Sequence, residues 1–229
     1  MNMDKVSLNT TTNRLWTAAL ALAGFTILYN LVEGIFATRF GGAQEELALF
    51  GFGLDSFIEL ISGAGIMMMV LRIWRHPGQP RGNFEQAALR VTGWGFYVLT
   101  GILVAGAVAS LLTGHKPQPS LAGTVISLIS IAVMWALVAG KRHVGKVLGS
   151  AAILADANCT LVCIYMSVVL LASSLLYSLT GFGWADALGS VGLAWFSLRE
   201  GREAFETAAG MADGCSCGIE PHAEPNAAD

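Results

Sequence analysis

The chain is 229 residues long, 54% hydrophobic and only 13% charged, with a mean hydropathy of +0.60, whereas ordinary soluble domains carry about a quarter charged residues. Its 13 Lys+Arg against 16 Asp+Glu give a net charge of −3, which removes the basic excess that holds a phosphate backbone and argues against nucleic acid as a partner. The same hydrophobicity excludes a disordered chain, and four Cys and six Pro exclude a disulfide framework and a collagen-like repeat, leaving an integral membrane protein in the lipid bilayer.

A spanning helix needs roughly 20 mainly apolar residues, and six stretches approach or meet that length, so an all-α six-helix bundle is expected. A polar tail, residues 1–14, lacks a small-residue cleavage site after a short apolar core, so a signal peptide is the weaker reading. The first span, Leu15–Ala37, carries Asn30 and Glu33, and Gly41-Gly42 reads as the turn that follows it. The second, Leu47–Leu71, carries Asp55 and Glu59, with Ser56 and Ser62 on adjoining positions. After His76-Pro77-Gly78-Gln79-Pro80 comes the third, Ala87–Leu112, in which Gly101, Ala105 and Ala109 place small residues on one face. Such a face marks a close helix contact, within one chain or across a homodimer. Lys116-Pro117-Gln118-Pro119 leads into the fourth span, Leu121–Gly140, and the fifth follows over Ser150–Leu176. The fifth bears Asp156, Cys159, Thr160, Cys163 and Ser167 at the spacing of a single helical stripe. Gly181-Phe182-Gly183 precedes the sixth span, Trp184–Leu198, which opens with Asp186. Residues 15–205 thus form the transmembrane domain, and residues 206–229 a flexible tail.

Cytoplasmic segments retain Lys and Arg. Eleven of the 13 cations, Lys5, Arg14, Arg72, Arg75, Arg81, Arg90, Lys141, Arg142, Lys146, Arg199 and Arg202, fall on one side of a six-span arrangement, and Arg39 and Lys116 on the other. The partition places both termini in the cytoplasm, and in a bacterial cell the membrane would be the plasma (inner) membrane.

A charge near the bilayer centre costs about 2.5–3.5 kcal/mol on insertion scales, and such residues usually face a cavity, a partner or a substrate path. Asp55 and Glu59 share one helical face at mid-depth, as do Cys159 and Cys163, and no basic residue is expected inside a span beside them. Two carboxylates and two thiols make a four-ligand set of the kind a tetrahedral divalent ion accepts. Mixed thiolate and carboxylate ligation favours zinc or a zinc-like soft ion such as cadmium over magnesium or calcium. The bland alternatives are buried cysteines acting as small apolar residues, first-turn carboxylates at Asp156 and Asp186, and Asn30 and Glu33 lining a polar interior. Asp156, Asn30 and Glu33 are secondary ligand candidates.

The local wording of the second and fifth spans resembles the membrane domain of the cation diffusion facilitator (cation efflux) family, whose second helix reads A-D-x-x-H/D-S-x-x-D and whose fifth reads A-D-A-x-H-T-x-x-D. Here the stretches are Gly51-Phe52-Gly53-Leu54-Asp55-Ser56-Phe57-Ile58-Glu59 and Ala155-Asp156-Ala157-Asn158-Cys159-Thr160-Leu161-Val162-Cys163. The exit from the sixth span, with Ala185-Asp186-Ala187-Leu188 and Arg199-Glu200-Gly201, is also similar. The resemblance covers about residues 15–205 and implies that Asp55, Glu59, Cys159 and Cys163 hold a transported divalent cation, exported in exchange for protons. Cysteines replace the family's His and Asp, which shifts the expected cargo toward softer ions. Most members continue into a folded cytoplasmic domain, which this chain is expected to lack.

Metal binding to thiols releases protons, so a site opening alternately to either side would couple the two flows. No G-x-x-x-x-G-K-[ST] loop and no Ser/His or Cys/His arrangement within a span is present, so neither an ATP-driven pump nor an enzyme is expected, and no prosthetic group is implied. The tail holds Cys215, Cys217 and His222, either a capture site for a soft ion or incidental cysteines. A membrane metal sensor or accessory protein is the alternative to a transporter.

Overall fold

The computed structural model describes residues 3–76, 83–114, 121–181 and 184–209. They form six helices: α1 (Met3–Gln44), α2 (Leu47–Arg75), α3 (Asn83–Thr113), α4 (Ala122–Leu148), α5 (Ala151–Thr180) and α6 (Ala185–Ala208). No strand occurs among the described residues. Five of the helices, α1 to α5, are long and apolar enough to cross a membrane. The 24 residues of α6 reach about 36 Å at 1.5 Å per residue, but Asp186 and the run from Arg199 to Glu206 make it more polar than the rest. Large apolar side chains face outward around the bundle, Leu28, Leu112, Trp135, Leu179 and Trp195 among them, as a lipid-facing surface requires. The protein is a multi-pass integral membrane protein.

The first connection differs from expectation. Gly41 and Gly42 lie inside α1, and the chain turns three residues later, with Glu45 at a left-handed φ of 56°. Gly41 serves packing instead: a Cβ there would collide with the Phe50 backbone, and one at Gly53 would come within 2.5 Å of the Thr38 amide nitrogen. Small residues let α1 and α2 approach closely, which is how α2 is held in register. At the far ends of α4 and α5, Gly149 (φ 59°) and Gly181 (φ 62°) supply the left-handed caps.

Asp186 settles the topology. Its two carboxylate oxygens accept hydrogen bonds from the backbone amides of Leu47 and Ala48, at 3.0 and 2.9 Å. A residue in the first turn of α6 therefore caps the start of α2 and satisfies two of its otherwise unbonded N–H groups. The starts of α2 and α6 share one end of the bundle, so α5, which ends only five residues before α6 begins, runs antiparallel to α2. Ser174, near the end of α5, donates to the Glu46 carboxylate at 2.8 Å and confirms the arrangement.

Three buried clusters hold the helices together. One joins α1, α2, α3, α5 and α6 around Phe52, Leu103, Met166 and Leu193. A second fastens α4 to α5 through Met134, Leu137, Val138, Cys163 and Ile164. The third joins α1, α2, α4 and α5 around Ala19, Val70, Val144 and Ile153. Gly101, Ala105 and Ala109 are exposed, and no neighbouring atom lies within 4 Å of a Cβ built at Gly101, so this small-residue face makes no close helix contact among the described residues.

Candidate metal site

Asp55 and Glu59 stand one turn apart in the first half of α2, and Cys159 and Cys163 one turn apart in the first half of α5. The two helices are antiparallel, and the register observed sets Glu59 beside Cys163. The structure brings part of this set together. The free thiol of Cys163, 6% exposed, donates to Glu59 Oε1. Glu59 Oε2 accepts from the Asn30 amide of α1 at 3.1 Å. Asp55 is 2% exposed, and its Oδ1 is buried without a hydrogen-bond partner. Cys159 is disulfide-bonded, and coordination through its sulfur requires the reduced thiol. No group of three or more His, Cys, Asp or Glu side chains among the described residues is already gathered in metal-holding geometry.

The other α1 candidate has partners. Glu33, 6% exposed, accepts from the Tyr29 hydroxyl at 2.9 Å and from Ser56 Oγ at 3.2 Å. Ser167 turns away from this group and bonds to Ser130 of α4 at 2.9 Å. Asn30 retains an unpartnered Oδ1, so a second polar oxygen besides that of Asp55 is buried and unused.

The expectation that no basic residue lies inside a span is corrected by Lys141. The α4 helix continues eight residues past Gly140, and Lys141 turns inward with only 1% exposure. Its ammonium lies 2.9 Å from Asp156 Oδ1 and donates to Thr160 Oγ1 at 2.9 Å, both one helix away on α5. Asp156 is therefore not a first-turn carboxylate, since α5 has no acidic residue in its first turn, and its charge is met by Lys141. As a secondary ligand candidate it would have to leave that partner. Asp186, read as either functional or a first-turn carboxylate, is the cap of α2 described above.

A cavity of about 60 Å³ is lined by Asn30, Glu59, Cys159 and Cys163 together with Glu203 and Thr207 in the last turns of α6. One water occupies roughly 10–15 Å³ by this measure, so the space holds a few waters or a partly dehydrated cation, not a full hydration shell. Thr92 of α3 and Glu200 of α6 also line it. Thr92 was not singled out by sequence, because a lone Thr in an apolar helix carries no local signal, and Glu200 was named only within the helix exit that resembles the family, not as a ligand. Cys215, Cys217 and His222 lie outside the described residues.

The model of the cation efflux transmembrane domain matches residues 25–210. No curated protein matches the chain. With most of its length matched, the chain belongs to the cation efflux family, whose members are metal cation transporters rather than enzymes.

Proposed function

We propose that the protein is a secondary transporter of divalent soft cations, zinc or cadmium, that exports them from the cytoplasm in exchange for protons. The site is formed by Asp55, Glu59, Cys159 and Cys163 near the middle of the bundle, with both termini cytoplasmic and all six helices crossing. The observation that carries this reading is Asp55: a buried carboxylate with an unpartnered oxygen, one turn from a Glu59–Cys163 contact. A buried carboxylate left unpaired is costly, and a divalent cation would supply the missing positive charge. Thiolate beside carboxylate selects a softer ion than oxygen ligands alone would. The thiol proton that Cys163 donates to Glu59 in a hydrogen bond must leave when metal binds, and this supplies the proton exchange.

Reduced protein in sealed liposomes, with zinc or cadmium on one side and an imposed proton gradient, tests the reading. Metal flux that rises with the gradient is expected. Saturable metal binding without flux would instead identify a membrane sensor.

A further inference from the structure

Beside its thiol and carboxylate lining, the cavity carries oxygen donors from α3 and α6, Thr92 and Glu200. There α3 and α6 are pressed together. The ring of Phe205 covers Gly93, where an added Cβ would come within 2.7 Å of it, and Tyr97 covers Gly201 at 2.9 Å. The Ser197 hydroxyl donates to the Phe96 carbonyl at 2.9 Å and ties the same seam. Thr92 and Glu200 are the immediate neighbours of Gly93 and Gly201, and both line the cavity.

Each of these two side chains has an unused oxygen. Thr92 is 2% exposed and its Oγ1 has no hydrogen-bond partner. Glu200 Oε1 is likewise buried and unpartnered. The neighbouring Glu203 accepts from Arg199 Nε at 3.1 Å, so the nearby cation is engaged elsewhere. Buried polar groups in native structures nearly always have partners, and two orphans on residues that line one cavity call for a third species. A carboxylate and a hydroxyl with room for a few waters make a hard donor set, suited to a divalent cation that keeps part of its hydration shell.

We propose that Glu200 and Thr92 form a second cation station, made of oxygen donors, at the α3–α6 side of the cavity. The station holds a partly hydrated divalent cation in the same cavity that Glu59 and Cys163 line. It rests on the transport reading for its role, but its existence is separately measurable.

Manganese(II) is the probe, because it prefers oxygen ligands and loses its free-ion electron paramagnetic resonance signal when bound. The reduced full-length protein in lipid nanodiscs is titrated as wild type, Glu200→Gln, Thr92→Val and Asp55→Ala. Saturable binding is expected in wild type, weakened at least tenfold in Glu200→Gln and less in Thr92→Val, and retained in Asp55→Ala. Absence of saturable binding in wild type overturns the proposal. So does wild-type affinity in both Glu200→Gln and Thr92→Val, or binding that is lost in Asp55→Ala and kept in Glu200→Gln. Thr92→Val is nearly isosteric and decides the matter should Glu200→Gln fail to fold. Undiminished zinc flux in Asp55→Ala would defeat the transport site while leaving the manganese result intact.

Discussion

Removing the Lys141 charge should cost more stability than removing Lys141 and the Asp156 charge together. Lys141 is 1% exposed and Asp156 8%, with 2.9 Å between ammonium and carboxylate. Breaking a buried pair by deleting one partner typically costs about 3–5 kcal/mol, because the other charge is left uncompensated. Lys141→Met keeps the apolar stem, so the loss comes from the charge, with about 1 kcal/mol more from the Thr160 hydrogen bond. Lys141→Met/Asp156→Asn removes both charges and should recover most of that deficit, since replacing a whole buried pair is often neutral or stabilising by about 1–4 kcal/mol. Reversible unfolding in mixed detergent micelles, followed by tryptophan fluorescence, gives the four corners of the cycle. A loss under about 1 kcal/mol in Lys141→Met, or a double variant as unstable as the single one, would refute the assignment of Lys141 as the counter-charge of Asp156.

Asp186→Ala should lower stability by about 2 kcal/mol, through loss of the charged acceptor for the Leu47 and Ala48 amides, without changing the half-saturating metal concentration of the folded fraction; the same unfolding assay and a flux titration check both halves. Gly53→Val, whose Cβ would press on the Thr38 amide, should cost about 1–3 kcal/mol or more, whereas Gly24→Ala, with nothing within 4 Å, should be neutral or stabilising, by melting temperature. Replacing Cys159 and Cys163 by His and Asp should lower cadmium transport more than zinc transport, and an unchanged cadmium-to-zinc ratio would mark the cysteines as packing residues.

The helices were legible because each is a long apolar run, and the pairs Asp55/Glu59 and Cys159/Cys163 because charge and thiol spacing is visible along one helix. Contacts between helices were not. The inward turn of Lys141 could not be read from a basic residue seven positions before a helix end, where a cytoplasmic location is equally natural. Asp186 and the α2 amides lie 138 and 139 residues apart, so no local pattern distinguishes their capping role from that of an ordinary first-turn carboxylate. Gly41-Gly42 carries a turn signal that tertiary packing overrides, since glycine also serves wherever two backbones meet. The orphan oxygens of Thr92 and Glu200 are features of a three-dimensional cavity and have no sequence signature at all.

Metal flux through Asp55→Ala and Glu59→Ala is the most direct test of the site between α2 and α5. Wild type and both variants are reconstituted in reduced form, in equal amounts of folded protein, into liposomes with a proton gradient, and zinc and cadmium movement is recorded with a fluorescent indicator. Each variant removes a carboxylate without stranding a buried cation, since the one buried cation among the described residues, Lys141, is held by Asp156. Both should insert normally and transport neither metal above the protein-free background. Wild-type flux from either variant would contradict the account.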